Sequence, residues 1–515
     1  MFSTILSGTV SGVQSHLIHV EVDLSSGLPC FVMVGKLGSE VREAGERVRI
    51  ALKNSGITLP PMHIAVNFSP GNIRKEGTAF DLPVAVGVLE AMGKLPAGST
   101  EGMLLLGELG LDGVIKPVKG VLPIVMGATK TGVMKCVVPE ANVKEAAVVK
   151  GIQAVGVKDL KQVMEYLNLS GEKREKMLPW IRVTQSELLM RRSTREEPDF
   201  SEIVGQESVK RAAVIAACGF HHLLMIGPPG AGKTMIAKRM PGILPPMSQE
   251  ESLEVSSVYS IAGRLPEGQP LITRRPFMNP HHTISAQALS GGGRVPQPGI
   301  VSLSHRGVLF LDELPEFKRQ TLDLLRQPLE DKEIQIARST GSFVYPADMM
   351  LVGAMNPCPC GYFPDRNKCA CTPFEVHNHL SHISGPILDR IDLCIRASKV
   401  EIGQLQTGKK GESSADLRKK VMAGRELQKQ RYQGTGFRFN SDLGAGDVEK
   451  YCILDKTERE MLQKMALAMD LSARAYHKTL KVARTIADLE GSEKIKSVHL
   501  SEAVCYRAGE EFYGK

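Results

Sequence analysis

A phosphate-binding loop is the clearest chemical signal in this sequence. The pattern G-x-x-x-x-G-K-[ST] is met by eight consecutive residues: Gly227, Pro228, Pro229, Gly230, Ala231, Gly232, Lys233 and Thr234. An apolar run precedes the loop and a helix-compatible segment follows it, which is the context that this motif requires. Glycines let main-chain N–H groups turn toward a phosphate chain, the lysine reaches the outer phosphates, and the threonine offers a hydroxyl to Mg²⁺. The sequence therefore predicts binding of ATP with Mg²⁺.

Two adjacent carboxylates supply the second half of a nucleotide-hydrolysing site. Asp312 and Glu313 directly follow the apolar run Val308 to Leu311. A buried strand of this kind ends at the same sheet edge as the phosphate loop, where ligands of open α/β sheets bind. We expect Asp312 to hold Mg²⁺ or its waters, and Glu313 to orient and polarise the attacking water. The alternative is a solvated acidic turn.

Two further polar residues extend this site. Asn356 follows a third apolar run, where its amide could hold the γ-phosphate or the attacking water, although an asparagine after a strand is usually a turn residue. The segment Ser384 to Asp392 resembles the one by which AAA+ proteins send an arginine into the neighbouring subunit's site. Arg390 is the candidate finger, which would stabilise charge in the transition state. The alternative for Arg390 is a surface ion pair with Asp389 or Asp392.

Segments of different character must position these residues. From residue 1 to about 169, short β-branched runs alternate with glycine-rich turns and helical stretches, which indicates an α+β domain. The charge-dense stretch 170–198 is predicted to be a partly helical linker. Residues 199–400 contain short, continuous apolar runs that are typical of buried parallel strands in an α/β domain. Residues 415–515 are predicted to be helical.

Sequence motifs around the acidic pair indicate a family. The segments Pro280 to Ser285, Gly291 to Arg294 and Gly307 to Leu314 resemble the ATPase module of magnesium-chelatase subunits. Over nearly all 515 residues the chain resembles the ComM-like (YifB-like) group of magnesium-chelatase-related AAA+ ATPases. The resemblance implies a multidomain α/β fold with a Lon-protease-like α+β N-terminal domain, a P-loop AAA+ domain and a C-terminal helical lid. It also implies a hexameric DNA motor that drives branch migration during natural transformation.

The first domain is similar to the protease domain of Lon. Its segment 74–83 occupies the place of the Lon nucleophile loop. Catalysis in that family needs a serine whose proton a nearby lysine removes. The serine position falls on Ala79 and the lysine position on Leu122, so we predict a scaffold without peptidase activity. A shifted alignment leaves Ser69 and Lys75 as the alternative pair.

Arginines outside the ATPase motifs are candidates for sensing nucleotide and for binding DNA. The segment that contains Arg474 resembles the start of the helix by which AAA+ lids deliver a second sensing arginine, with Arg484 as the alternative. Residues 333–345 are predicted to form a β-hairpin around a Ser-Thr-Gly-Ser turn. Its Arg338, together with Arg294, is a candidate for contacts with DNA phosphates. We see no base-reading module, so binding to single-stranded or branched DNA should be independent of sequence.

A cysteine cluster follows directly after Asn356. Its four thiols belong to Cys358, Cys360, Cys369 and Cys371. Four thiolates suit a tetrahedral structural Zn²⁺, although the C-x-C spacing is shorter than the usual C-x₂-C. Three histidines nearby are alternative ligands: His377, His379 and His382. The competing interpretation is a reduced, cysteine-rich loop in a reducing cytosol.

Bulk properties restrict the classes of protein without choosing among them. A formal net charge of +8 on 515 residues is compatible with a nucleic-acid partner, but it is small for this length. The N-terminus lacks the basic residues of a secretory signal, and no apolar run approaches the roughly 18 residues of a membrane span, so we expect a cytoplasmic protein. Two alternatives to a DNA motor stay open: a chelatase-type ATPase that remodels a protein partner, and a regulatory or adaptor ATPase.

Overall fold

The computed structural model describes residues 1–181, 183, 198–266, 268–338, 341–399 and 411–507. About half of the predicted linker 170–198 lies outside these residues, and its described part includes the helix Gly171–Met177. The gaps also exclude the predicted hairpin's two central turn residues, 339 and 340, and the C-terminal residues 508–515.

The N-terminal segment is built on a mixed sheet. Seven strands lie in the order β3-β4-β2-β1-β5-β8-β9, while β6 and β7 form a separate antiparallel pair. The strands are β1 Phe2–Ser11, β2 Gln14–Ser25, β3 Cys30–Val34, β4 His63–Ser69, β5 Met103–Leu105, β6 Glu108–Leu109, β7 Ile115–Lys116, β8 Lys135–Pro139 and β9 Gln153–Val157. Long β1 and β2 pair antiparallel over their full overlap, and β5, β8 and β9 continue the sheet in parallel.

Helices cover this sheet and bury their apolar residues against it. In the N-terminal segment they are α1 Ser39–Asn54, α2 Asp81–Ala91, α3 Val121–Lys130, α4 Val143–Ala147, α5 Leu160–Asn168 and α6 Gly171–Met177. Helix α1 buries Val41, Val48 and Leu52, which recur at helical spacing. Helix α2 is buried on nearly all sides because it lies in the core between α1 and the β1–β2 strands.

A second sheet carries the phosphate-binding loop. Its five strands lie in the order β11-β14-β17-β10-β18, and every neighbouring pair is parallel. The strands from residue 199 onward are β10 Leu223–Ile226, β11 Phe277–Met278, β12 Gly291–Gly292, β13 Gln297–Pro298, β14 Val308–Leu311, β15 Glu333–Arg338, β16 Gly341–Pro346, β17 Met350–Met355 and β18 Leu393–Arg396. All residues of β10, β14 and β17 are buried, which explains why their sequences are continuous apolar runs.

The helices around the second sheet are mostly short. They are α7 Glu207–Gly219, α8 Lys233–Ile243, α9 Gln249–Ala262, α10 Ala286–Ser290, α11 Ile300–Leu303, α12 Arg319–Asp323, α13 Arg326–Asp331, α14 Pro373–Ser381 and α15 Gly385–Leu388. Ser248 begins α9 with a capping box, since its side chain accepts from the Glu251 N–H while the Glu251 side chain accepts from the Ser248 N–H. Described residues from 411 onward contain helices and no strand: α16 Ser414–Arg431, α17 Ala445–Tyr451, α18 Lys456–Ala468, α19 Ala473–Leu489 and α20 Ser497–Cys505.

The N-terminal and ATPase segments share a packed interface. Helix α9 packs against α3, and Leu271 joins the apolar cluster of the first segment. Ser260 donates to the buried Glu145 carboxyl, and the Gly120 N–H donates to the Ser260 carbonyl at 3.2 Å. The fold is therefore mixed α/β with parallel strands and many helices. Among the described residues, none of the helices combines the length and apolar character that a bilayer span needs.

Candidate nucleotide site

The phosphate-binding loop connects the carboxyl end of β10 to the first turn of α8. Gly230 and Gly232 have φ angles of +76° and +81°, which L side chains rarely adopt, so the loop needs glycine at both positions. Helix α8 begins at Lys233, and its first N–H groups therefore face the loop. This strand-loop-helix geometry presents main-chain donors and the positive helix end to an anion.

Four predicted site residues meet at this loop. The Lys233 ammonium donates to the Gly227 carbonyl at 2.6 Å and to the Asn356 side-chain oxygen at 3.2 Å. The Thr234 hydroxyl donates to the Asp312 carboxylate at 2.7 Å. Burial lowers the pKa of Lys233, while the charge of Asp312 opposes that shift. These bonds bring together the ends of β10, β14 and β17. The Thr234 hydroxyl beside the Asp312 carboxylate is a set of oxygen ligands that suits Mg²⁺.

Glu313 lies at the carboxyl end of β14 with its side chain largely exposed. Its φ angle is +52°, so the backbone turns sharply between the two carboxylates. The His282 Nδ1 lies 3.5 Å from the Glu313 carboxylate, and His282 packs against His281 with ring centroids 4.1 Å apart. Sequence reasoning used these histidines only as part of a family motif and assigned them no role. The structure places His282 beside the Glu313 carboxylate.

Arg390 lies at the opposite end of the strands of this sheet from the phosphate-binding loop. It precedes β18, which pairs in parallel with β10, whereas the phosphate-binding loop follows β10. The ends of a four-residue strand are separated by about 10 Å or more. Arg390 pairs with Glu330 of α13 rather than with Asp389 or Asp392. Within this chain Arg390 and Lys233 therefore lie at opposite ends of the strands.

Arg474 joins Arg390 at this edge. Its guanidinium lies 3.4 Å from the other carboxylate oxygen of Glu330, so a single acid holds both arginines. They line a cavity of about 480 Å³ between the ATPase segment and the C-terminal helices. The alternative sensor, Arg484, is buried inside the C-terminal segment, where it bonds Asp488 and the carbonyls of residues 492 and 493. Arg484 is therefore engaged in the packing of its own segment.

A buried ion pair attaches the C-terminal segment to the residues next to Arg390. The Lys478 ammonium of α19 lies 3.0 Å from the Asp392 carboxylate, and both side chains are about one-tenth exposed. Burial alone would raise the pKa of Asp392, but Lys478 and His221 hold that pKa well below its usual range. Since Asp392 is two residues from Arg390, this pair links the position of α19 to the position of the candidate finger.

The two predicted DNA-binding arginines lie on neighbouring exposed loops. Strands β15 and β16 pair antiparallel from Glu333 to Pro346, as the hairpin prediction requires. The Tyr345 hydroxyl donates to the Pro296 carbonyl at 2.7 Å, which attaches the hairpin to the β12–β13 loop. Arg338 is exposed near the hairpin end, and Arg294 is exposed in that loop. The hairpin 333–346 and the loop 293–296 are therefore neighbours that each carry one exposed arginine, and together they are called the basic projection.

The cysteine cluster forms a compact group of thiols. The Sγ atoms of Cys358, Cys360, Cys369 and Cys371 all lie within 4.8 Å of one another. Four thiolates at about 2.3 Å from Zn²⁺ lie about 3.8 Å apart in a tetrahedron, so the donor set and its spacing fit this ion. His379 and His382 instead contact the main-chain carbonyls of Asn356 and Pro315.

The positions predicted for the Lon serine and lysine are occupied by Ala79 and Leu122, so no serine–lysine pair stands there. Ala79 lines a cavity of about 400 Å³ that Phe343 and Tyr345 of the hairpin also line. Leu122 is fully buried in α3. The alternative lysine, Lys75, is also buried, and its ammonium donates to the carbonyl of Pro70. The cavity therefore adjoins the basic projection.

Comparison with known proteins identifies the family. Models of the magnesium chelatase subunit ChlI family match residues 199–405 and, for its C-terminal part, residues 411–507. A third model, of subunit ChlI of Mg-chelatase, matches residues 20–142. Competence protein ComM of Haemophilus influenzae is 41% identical over 498 residues, which cover 96% of each chain. The chain belongs to the ComM/YifB family.

Other relatives agree with this placement. YifB of Escherichia coli (strain K12) is 40% identical over 96% of this chain and 95% of its own. Lon protease 2 of Bacillus subtilis is 32% identical over 123 residues, or 23% of this chain and 21% of that protein. The resemblance predicted from the motifs, including the Lon-like N-terminal region, is confirmed. Membership in a magnesium-chelatase-related family supports an ATPase that uses Mg²⁺.

Proposed function

We propose that this protein hydrolyses ATP and uses the energy to move or branch-migrate DNA, as part of recombination in the cytoplasm during natural transformation. The observation that carries the ATPase assignment is the meeting of Lys233, Thr234, Asp312 and Asn356 at the ends of three parallel strands. Thr234 and Asp312 hold Mg²⁺, which neutralises charge on the phosphates when bound. Lys233 contacts the outer phosphates, Glu313 orients and polarises the attacking water, and Asn356 supports the γ-phosphate or that water.

A neighbouring subunit completes the site in this proposal. Arg390 and Arg474 lie at the amino edge of the sheet, where they cannot reach the phosphate loop of their own subunit. Glu330 holds the pair until the neighbour's nucleotide supplies a stronger set of oxygen acceptors. This arrangement requires a closed homo-oligomer, and we propose a hexamer by resemblance to the AAA+ superfamily.

DNA is the proposed track because of the basic projection. Arg338 and Arg294 are exposed on neighbouring elements, and exposed guanidinium groups suit contacts with phosphates. In a ring these loops would repeat around the central pore and follow a phosphate backbone. We further propose three domains (1–169, 199–400 and 415–515) joined by a linker at 170–198, with the first serving as a scaffold without peptidase activity.

The four-cysteine cluster is proposed to bind a structural Zn²⁺. Its thiols approach one another as a tetrahedral site requires, and two of them are buried. Zinc would supply no catalytic chemistry there, since four protein ligands leave no open coordination position.

A second candidate function is remodelling of a protein partner by a chelatase-type ATPase. Matches to magnesium chelatase subunit models over residues 199–405 and 411–507 favour it, because they cover the whole ATPase machinery. DNA-independent hydrolysis that a protein partner stimulates would select this alternative.

Mixing two inactive variants tests the shared site. Lys233→Ala should lower kcat for ATP at least about 100-fold, and Arg390→Ala should lower it about 1,000-fold. Mixed subunits should regain partial activity, because a Lys233→Ala subunit still offers its arginine to an intact phosphate loop next to it. Steady-state ATPase measured across mixing ratios gives the answer, with the exposed Arg49→Ala in place of Arg390→Ala as the control. Hydrolysis by Arg390→Ala alone at the wild-type rate would contradict the proposal.

A further inference from the structure

The four cysteines are held in a loop that begins beside the nucleotide site. Cys358 is two residues after Asn356, whose side-chain oxygen accepts from Lys233 at 3.2 Å. The Cys358 Sγ lies 3.4 Å from that of Cys360 and 3.8 Å from that of Cys369. It also accepts a main-chain N–H from Phe363 at 3.4 Å. Hydrogen bonds of this kind orient metal ligands, so the loop's backbone is arranged around the thiols.

The first half of this loop lies directly on the phosphate-binding loop. Gly361 has a φ of +83°, and its N–H donates to the Cys358 carbonyl at 2.9 Å. A Cβ placed on Gly361 would lie 2.5 Å from Pro229 Cδ and 3.7 Å from Asn356 Cγ. No space for a side chain therefore exists between the cysteine loop and the phosphate-binding loop. A shift of about 1 Å in one loop must displace the other, since close-packed contacts transmit strain.

The second half of the cysteine loop returns to the same place. Cys371 is followed by Thr372, which caps helix α14. This helix carries His379, whose Nε2 lies 3.2 Å from the main-chain oxygen of Asn356. Both arms of the cysteine loop thus lie close to Asn356: Gly361 packs beside it, and α14 contacts it through His379. Nothing in the ATPase chemistry itself requires this double attachment.

We propose that Zn²⁺ bound by the four cysteines holds the wall of the nucleotide site, so that zinc binding and ATP binding strengthen each other. Without the ion, the four thiols within 4.8 Å are joined to one another by weak S–H hydrogen bonds alone, which fix their distances less firmly than metal bonds. Gly361 and α14 would then no longer hold Pro229 and Asn356 in one position. Coupling between two sites is reciprocal in binding free energy, and it typically amounts to about 5-fold to 150-fold in affinity. This inference rests on the proposed nucleotide and zinc sites, but not on DNA or hydrolysis.

The test compares ATP affinity in zinc-loaded and zinc-stripped full-length protein. We expect one Zn²⁺ per subunit by metal analysis, and a thiolate-to-metal absorption band after exchange with Co²⁺. Stripping with a chelator under reducing conditions should weaken binding of a fluorescent ATP analogue at least about 5-fold, and zinc should restore it. Reciprocally, saturating ATP analogue should weaken zinc transfer to the chelator by the same factor.

Three variants separate the coupling from general loss of folding. Cys360→Ser with Cys371→Ser should lose zinc and bind ATP weakly, whereas the exposed control Cys30→Ser should change neither. Gly361→Ala keeps all four thiols, so it should retain zinc yet lower ATP affinity, with thermal unfolding showing that the chain stays folded. Absence of bound metal, or equal ATP affinity with and without zinc, would overturn the inference. Failure of the zinc-loaded protein to bind ATP at all would instead overturn the proposed nucleotide site.

Discussion

The proposed catalytic side chains meet because three parallel strands end at one edge of a sheet. Lys233, Asp312 and Asn356 each follow a buried apolar strand, and hydrogen bonds among the loop residues hold them within reach of one phosphate chain. Glu313 differs from them because its carboxylate is exposed, with the His282 Nδ1 at 3.5 Å. An exposed acid beside the phosphate loop is free to contact a water, which is what its proposed role needs.

Glu313→Gln should separate ATP binding from ATP hydrolysis. The amide keeps the shape of the side chain but cannot take a proton from water, so kcat should fall about 100-fold to 10,000-fold while ATP affinity changes little. Single-turnover hydrolysis and equilibrium binding measure the two effects. Glu316→Gln, an exposed acid three residues away, serves as the control and should hydrolyse ATP at the wild-type rate. Hydrolysis of ATP by Glu313→Gln at the wild-type rate would contradict the catalytic role proposed for Glu313.

At the scale of elements, the sequence predicted what depends on local pattern. Strands β10, β14 and β17 and the hairpin were recognisable because buried strands are continuously apolar and hairpins alternate around a turn. Glu330, His282 and Lys478 were missed. Each comes from a segment distant in sequence from the group it contacts, and no spacing or periodicity marks a residue as the partner of an arginine or acid elsewhere. Such partners depend on packing between elements.

The Lys478–Asp392 pair should contribute strongly to stability. Lys478→Ala removes the lysine counter-charge of a buried carboxylate, which should lower the free energy of unfolding by about 3–5 kcal/mol. Equilibrium denaturation in urea measures this loss. Lys494→Ala breaks the exposed pair with Asp455, whose side chains are 70% and 61% exposed, and should cost under about 1 kcal/mol. If both changes lowered the free energy of unfolding equally, the buried Lys478–Asp392 pair would contribute no more to stability than an exposed pair.

The basic projection should bind DNA through its phosphates. Arg338→Ala should leave ATPase without DNA unchanged, weaken binding to single-stranded DNA, and reduce the slope of log affinity against log salt by about 0.7. Fluorescence anisotropy over a salt series measures the slope. Arg49→Ala, which removes an exposed arginine of the N-terminal segment, is the matched control and should leave the slope unchanged. An unchanged salt slope for Arg338→Ala would show that Arg338 does not contact DNA phosphates.

For the whole molecule, the proposed ring gives the two ends of the ATPase strands complementary roles. The carboxyl edge holds the phosphate loop, and the amino edge presents Arg390 and Arg474 beside the C-terminal helices. A ring that brings one edge of each subunit to the other edge of its neighbour would let every hydrolysis event be sensed by the adjacent subunit. Ala79 of the N-terminal segment and two residues of the hairpin, Phe343 and Tyr345, line one cavity, so these parts of the molecule are neighbours.

Branch migration by the purified protein is the most direct test of a DNA motor. A labelled three-strand junction should be converted to product by wild-type protein with ATP and Mg²⁺, and ATP hydrolysis should rise when the junction is added. Glu313→Gln should bind the same junction without moving it, because the step requires hydrolysis. Conversion of the junction only by wild type with hydrolysable ATP is the predicted result. Robust ATPase with no junction movement and no stimulation by single-stranded or branched DNA would contradict the account.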